Sequence, residues 1–244
     1  EHTNACCHHH LDVAQSMDKR RDWGSIIGRL LLCYALWIFV RILIGLGPVP
    51  LSMLGSNSVG TPTMRNPPLL LPVTWLSAVL LTVTTLALAR WVDRRSIYEL
   101  GVGRVRSVWP SLPVGLCLGA VAPVGKLLIL LGIGGYAIHS VKIPAVEWWQ
   151  YLLMMLLVIP DAWNQEIVFR GYTLANLRDR LQPKFAVPLC GLAFLLPYFL
   201  GSSPIWSDAL STMLAGILLA VGFLYQQELW LPLWIHVGNS IVWN

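Results

Sequence analysis

Long apolar runs, broken by short polar stretches, set the plan of this chain. A helix rises 1.5 Å per residue, so about 20 consecutive apolar residues cross a bilayer. Read this way, the sequence predicts seven membrane helices. They span Ile26–Leu46, Leu69–Ala89, Val108–Ile133, Val146–Arg170, Phe185–Leu200 and Asp208–Tyr225, with a last one starting at Leu229. Prolines and glycines between Pro48 and Pro68 mark a long loop after the first helix, and the Gly132–Gly135 cluster ends the third. The fourth is longer than one crossing, so its polar end extends past the apolar core. An amphipathic linker, Thr173–Lys184, leads to the fifth. The fold class that follows is all-α: a polytopic helical membrane protein with one domain, residues 25–244. Residues 1–24 form a polar tail, expected to be disordered or to lie upstream of a start at Met17.

Composition agrees with a bilayer as solvent. Hydrophobic residues make up 56% of the 244, and charged residues only 12%, against about 25% in soluble domains. Several of the 12 tryptophans, among them Trp75, Trp109, Trp148, Trp149, Trp206 and Trp230, fall near predicted helix ends, where interfacial anchoring accounts for them. The formal net charge of +5 is small and one-sided, and it does not suggest nucleic acid. Lys19, Arg20, Arg21 and Arg29 gather at the first helix. Arg90, Arg94, Arg95, Arg104 and Arg106 follow the second, and Arg170, Arg178, Arg180 and Lys184 follow the fourth. The intervening loops hold only Arg65 and Lys142, so the positive-inside bias puts the N-terminus in the cytoplasm and the C-terminus outside. The short loop Gln226–Glu228 carries no basic residue and is an exception to this pattern.

Cysteine usage implies no disulfide framework. Cys33, Cys117 and Cys190 lie singly in apolar runs and are expected to be buried free thiols. Cys6-Cys7-His8-His9-His10 has metal-ligand chemistry, but a flexible tail is the simpler reading. No metal or cofactor is expected elsewhere: the sequence has no His-Glu-x-x-His, no glycine-rich phosphate loop and no nucleophile elbow.

The fourth helix ends in polar chemistry at membrane depth. Glu166 and Arg170 are four apart, with the acid N-terminal, which is the favourable order for an ion pair on one helix face. Asp161, Asn164, Gln165 and Val168 form a neighbouring strip. A charge near the bilayer centre costs about 2.5–3.5 kcal/mol on insertion scales, so this seam is expected to face other helices. Gly115-x-x-x-Gly119 in the third helix offers a close-contact face, either between molecules or within one.

Three motifs in order carry a resemblance. Gln165-Glu166-x-x-x-Arg170-Gly171 resembles the Glu-Glu-x-x-x-Arg-Gly motif of the CAAX protease and bacteriocin-processing (Abi) family of intramembrane proteases. Phe194 to Tyr198 stands where that family has Phe-x-x-x-His, and His236 to Ser240 where it has His-x-x-x-Asn. Glu99-Leu100-Gly101-Val102 is similar to another recurrent feature, and the likeness runs from about Arg90 onward. It implies the family's helical bundle and a multi-pass place in a membrane, as in the bacterial cytoplasmic membrane. It also implies that the first-motif Glu and second-motif His activate water while the third-motif His and Asn stabilise the oxyanion.

This chain departs from the pattern where the chemistry is heaviest. Gln165 replaces the first acid, and a carboxamide is no base at physiological pH. Tyr198 replaces the histidine, and a phenol with a reference pKa of about 10 stays protonated. Ser240 replaces the asparagine, with Asn239 one position earlier. General acid–base help is worth about 10²–10⁴-fold, and both base positions are altered together.

The expected site is therefore vestigial: Glu166, Arg170 and His236, with Gln165, Tyr198 and Ser240 as altered positions and Asp161 and Asn239 as neighbours. Glu166 and Arg170 read first as an ion pair locking the fourth helix. Gln165 reads as an interhelical hydrogen-bonding group, and His236 equally as a bonded core residue or as a remnant of the site. Arg41 and Lys126 are expected to pair with acids or snorkel. The reading carried forward is a non-catalytic family member acting as a scaffold or accessory subunit, with other membrane protein subunits and the lipid bilayer as partners. Two alternatives remain open. One is an active endopeptidase on prenylated or peptide substrates, using Asp161 or Glu166. The other is binding of a lipid, isoprenoid or pigment in the old cavity.

Overall fold

A computed structural model describes residues 23–43, 67–103, 105–134, 148–201 and 206–243. The expected tail, the loop after the first helix and the loop before the fourth lie outside the described residues, as does the Arg41 side chain. Among the described residues the fold is all-α, and the chain is a helical membrane protein. Its elements are α1 (Trp23–Leu43), α2 (Pro67–Ala87), α3 (Val108–Gly132), α4 (Trp148–Glu166), α5 (Leu174–Arg178), α6 (Pro183–Ala193), α7 (Leu196–Gly201), α8 (Trp206–Gln226) and α9 (Trp230–Trp243).

Among the described residues three helical stretches are long and apolar enough to cross a membrane: Leu71–Val92, Val108–Ile129 and Asp208–Gln226. Gly24–Val40 and Pro183–Phe199 are shorter apolar stretches. α4 falls outside both groups, because Asp161, Asn164, Gln165 and Glu166 dilute its apolar character. Leu31, Phe39, Val79, Val83, Leu128 and Ile129 are exposed, which is the expected inversion where lipid rather than water surrounds the bundle. Hydroxyls in α2 are satisfied within the helix: Thr82 and Thr84 donate to the carbonyls four residues back, at 2.6 and 2.7 Å.

The structure corrects the region after Glu166. The expected amphipathic linker, Thr173–Lys184, begins inside the helix: Thr173 to Leu177 are buried, while Arg178, Arg180 and Lys184 are exposed. The helix continues through a π-helical stretch, Ile167–Thr173, into α5, and Ile167 through Leu177 are all buried. The Thr173 hydroxyl donates to the Val168 carbonyl five residues back at 2.9 Å, and pairs with the Tyr34 hydroxyl of α1 at 2.9 Å. A π stretch lodges an extra residue in the helix and re-aims its side chains. Hydrophobicity alone could not reveal this, because the wall around the segment comes from α1, α2, α6 and α8. The fifth predicted helix is likewise two helices: Phe194 and Leu195 form a turn between α6 and α7. Cys33 and Cys190 are buried as expected, but Cys117 is exposed.

Two packing features position the site. α3 and α9 lie backbone to backbone: a Cβ on Gly115 would overlap Trp234, and one on Gly119 would overlap the Ile235 carbonyl. The Gly-x-x-x-Gly face is thus used inside the molecule. The segment after α2 is a folded strap. Ser96 and Glu99 form a capping box, with Ser96 N–H donating to Glu99 Oε1 at 3.1 Å. Gly101 then turns with φ +78°, a left-handed conformation natural to glycine, and its carbonyl accepts from Leu229 N–H at 3.0 Å. Leu100 is fully buried, and its carbonyl faces Gly171 of the π stretch. Ion pairs fasten the same end. Arg29 of α1 meets the buried Asp93 at 2.8 Å, and Arg95 reaches Asp179, Glu99 and the Ala175 carbonyl.

Candidate functional site

Glu166 is the last residue of α4 and Arg170 sits in the π stretch, so one helix presents both. Both side chains are fully buried, and Arg170 Nη1 lies 3.2 Å from Glu166 Oε1. α9 brings His236 to the same oxygen, with Nδ1 at 2.8 Å. Glu166 Oε2 is buried and accepts from no protein group among the described residues. The guanidinium is held on two further sides: Nη2 donates to the Gly216 carbonyl of α8 at 3.3 Å, and the charge lies 4.0 Å above the Phe194 ring. Phe194 in turn meets the His236 ring edge-on at 5.7 Å and the Phe169 ring at 5.4 Å. The π stretch and α9 thus meet on the Glu166 carboxylate, and α8 and the Phe194 turn meet on its Arg170 partner.

The remaining predicted residues divide. Gln165 donates to Asp161 Oδ2 at 3.0 Å within its own helix, which corrects the interhelical bond expected of it. The interhelical bond belongs to the residue before: Asn164 Nδ2 donates to Ser77 Oγ of α2 at 3.2 Å. Tyr198 lies in α7, past the turn, with its ring against Phe199 at 5.6 Å. Ser240 is buried one turn beyond His236 on the same face of α9. At Asn239 the α9 backbone lies against Gly119 of α3. Lys126 pairs with Asp208 of α8 at 3.4 Å, as one of its two expected outcomes. Sequence reasoning singled out neither Gly216 nor Ser77. A backbone carbonyl and a lone serine carry no motif, and only helix packing identifies them.

The geometry limits the chemistry. An ionised carboxylate offers only acceptors, so a neutral His236 bonded to it must carry its proton on Nδ1. Nε2 is then an acceptor. In that tautomer the ring cannot donate to an oxyanion, though it can take a proton. Beside the site, Trp75, Trp163, Trp230 and Trp234, with residues of α2, α4 and α9, line an apolar cavity of about 400 Å³. Trp163 donates to Thr82 at 2.7 Å and stacks on Trp230 at 5.5 Å. Among the described residues no three His, Cys, Asp or Glu side chains are grouped to hold a metal ion.

A bundle of apolar helices that buries a carboxylate and a guanidinium beside a partly buried imidazole belongs to the polytopic membrane proteins with an intramembrane polar site. Residues 147–242, which span α4 to α9 and all three motifs, match the family model described as Type II CAAX prenyl endopeptidase Rce1-like. The chain therefore contains a domain of the CAAX protease family. No curated protein and no solved structure matches the chain.

Proposed function

We propose that this is a non-catalytic member of the CAAX-protease-like membrane family, kept as a scaffold or accessory subunit of a membrane protein complex. The observation that carries the reading is the sharing of Glu166 Oε1 by the fully buried Arg170 and the partly buried His236. The surviving acid and histidine hold each other, with Arg170 tying them to α8 and Phe194, while the positions that resemble the family's water-activating pair are Gln165 and Tyr198. A carboxamide bonded to Asp161 and a phenol supply no base. Purified protein should not cleave prenylated CAAX peptides above background. Hydrolysis abolished by Glu166→Gln or Asp161→Asn would refute the non-catalytic half. Purification in mild detergent always as a lone monomer would refute the scaffold half.

Two specific observations favour other readings. Among the described residues Glu166 Oε2 accepts from no protein group, and the bond from His236 Nδ1 to Glu166 leaves Nε2 as an acceptor. That pair resembles the acid–histidine arrangement of hydrolases and supports an active endopeptidase with His236 as base. On this reading His236→Gln removes activity. The tryptophan-lined cavity supports a lipid or isoprenoid ligand instead, which native mass spectrometry would detect as a retained small molecule.

A further inference from the structure

The strap end of the bundle carries more positive charge than its own folding uses. Contacts join three segments there into one layer. Arg95 meets Asp179, Arg178 Nη1 donates to Gln227 at 3.1 Å, and Ser107 bonds Glu228. The acids of this layer among the described residues are engaged: Asp93 with Arg29, Glu99 and Asp179 with Arg95, and Glu228 with Ser107. Five exposed cations pair with no carboxylate among the described residues: Arg90, Arg106, Arg178, Arg180 and Lys184. Three of them bracket the start of α6, whose first turn has no acidic residue and no side-chain cap. The positive end of the helix dipole adds to their field. Lys184 lies 5.1 Å above the ring of Phe185, which is itself exposed among the apolar residues of α6. Charge at the polar boundary above an exposed apolar ring is the chemistry of a phosphate-bearing lipid.

We infer that the face formed by Arg178, Arg180 and Lys184 at the start of α6 binds the anionic headgroups of phospholipids in the leaflet it meets. The lipid's phosphate lies against the guanidinium and ammonium groups, and its chains run along α6 past Phe185. A basic residue at a membrane surface contributes about a fivefold preference for anionic lipid, weakened by salt.

The test uses the full chain in bilayer nanodiscs of phosphatidylcholine, with or without phosphatidylglycerol. After release into mild detergent, retained lipids are counted by native mass spectrometry. Phosphatidylglycerol should be retained preferentially at low salt. Arg178→Gln, Arg180→Gln and Lys184→Gln together should reduce that preference at least tenfold. Arg180→Gln with Lys184→Gln, which leaves the Arg178–Gln227 bond intact, should reduce it by a smaller factor while unfolding as wild type does. Equal retention of the two lipids overturns the inference, and so does a triple variant that keeps its preference. Inorganic phosphate that abolishes the preference at the ionic strength of a chloride control would show a free-phosphate site and overturn the lipid assignment. Loss of an acidic co-purifying protein, with lipid preference unchanged, would make the face a protein interface.

Discussion

Arg170→Ala is the sharpest test of the buried cluster. The substitution removes the guanidinium that meets Glu166 Oε1, the Gly216 carbonyl and the Phe194 ring. Glu166 keeps His236, but its carboxylate stays fully buried with no fixed positive charge beside it. Breaking a buried pair on one side costs about 3–5 kcal/mol, because the desolvated charge left behind is uncompensated. The Gly216 bond and the ring contact fall within that figure. Folded domains hold only about 5–15 kcal/mol in total, so the variant should unfold far earlier than wild type. Removing both charges, as Glu166→Gln with Arg170→Gln, leaves no orphaned ion and should recover most of the loss. Arg170→Lys keeps the charge but not the fork geometry, so an intermediate loss of about 1–2 kcal/mol is expected. The assay can use the protein's own thiols. Cys33 and Cys190 are buried, so with Cys6, Cys7 and Cys117 changed to serine they react with a thiol dye only on unfolding. Equilibrium SDS titration then gives each free energy. If Arg170→Ala unfolds within about 1 kcal/mol of wild type, the pair is not buried as described, and the reading of Glu166 as a structural hub fails.

Three further outcomes are expected. Single cysteines at Arg180 and Ile133, at opposite ends of the bundle, should label with impermeant reagents from opposite sides of the membrane; labelling from one side would refute the orientation read from charge. Gly119→Leu would force a side chain into the α9 backbone, and SDS titration should show a loss of about 1–3 kcal/mol or more; tolerance would mean that α3 and α9 are not in backbone contact. Arg29→Ala leaves Asp93 buried without its cation and should destabilise by about 3–5 kcal/mol, whereas Arg90→Ala, on an exposed residue, should change stability by under about 0.5 kcal/mol.

Much of the fold could be read from residue order. Apolar run length is a direct measure of bilayer thickness, so α1, α2, α3, α8 and α9 began within about three residues of where hydrophobicity put them. The Glu166–Arg170 pair followed from helical spacing alone, since four residues bring two side chains onto one face whatever surrounds the helix. The glycines of α3 announced a close contact, but not its partner. Tertiary structure chose α9 over a second molecule, because only the folded chain sets which backbone comes near. It also decided that Gln165 turns back to Asp161 while Asn164 reaches Ser77, a choice that two adjacent amides do not encode. The π stretch was hidden for a related reason: a single residue inserted among buried neighbours leaves no periodic mark. The meeting of His236 with Glu166, 70 positions apart, belongs wholly to the tertiary structure. The sequence specified an acid and a cation on one helix face and a lone core histidine. The packing of α9 against α4 and α8 joined them on one oxygen.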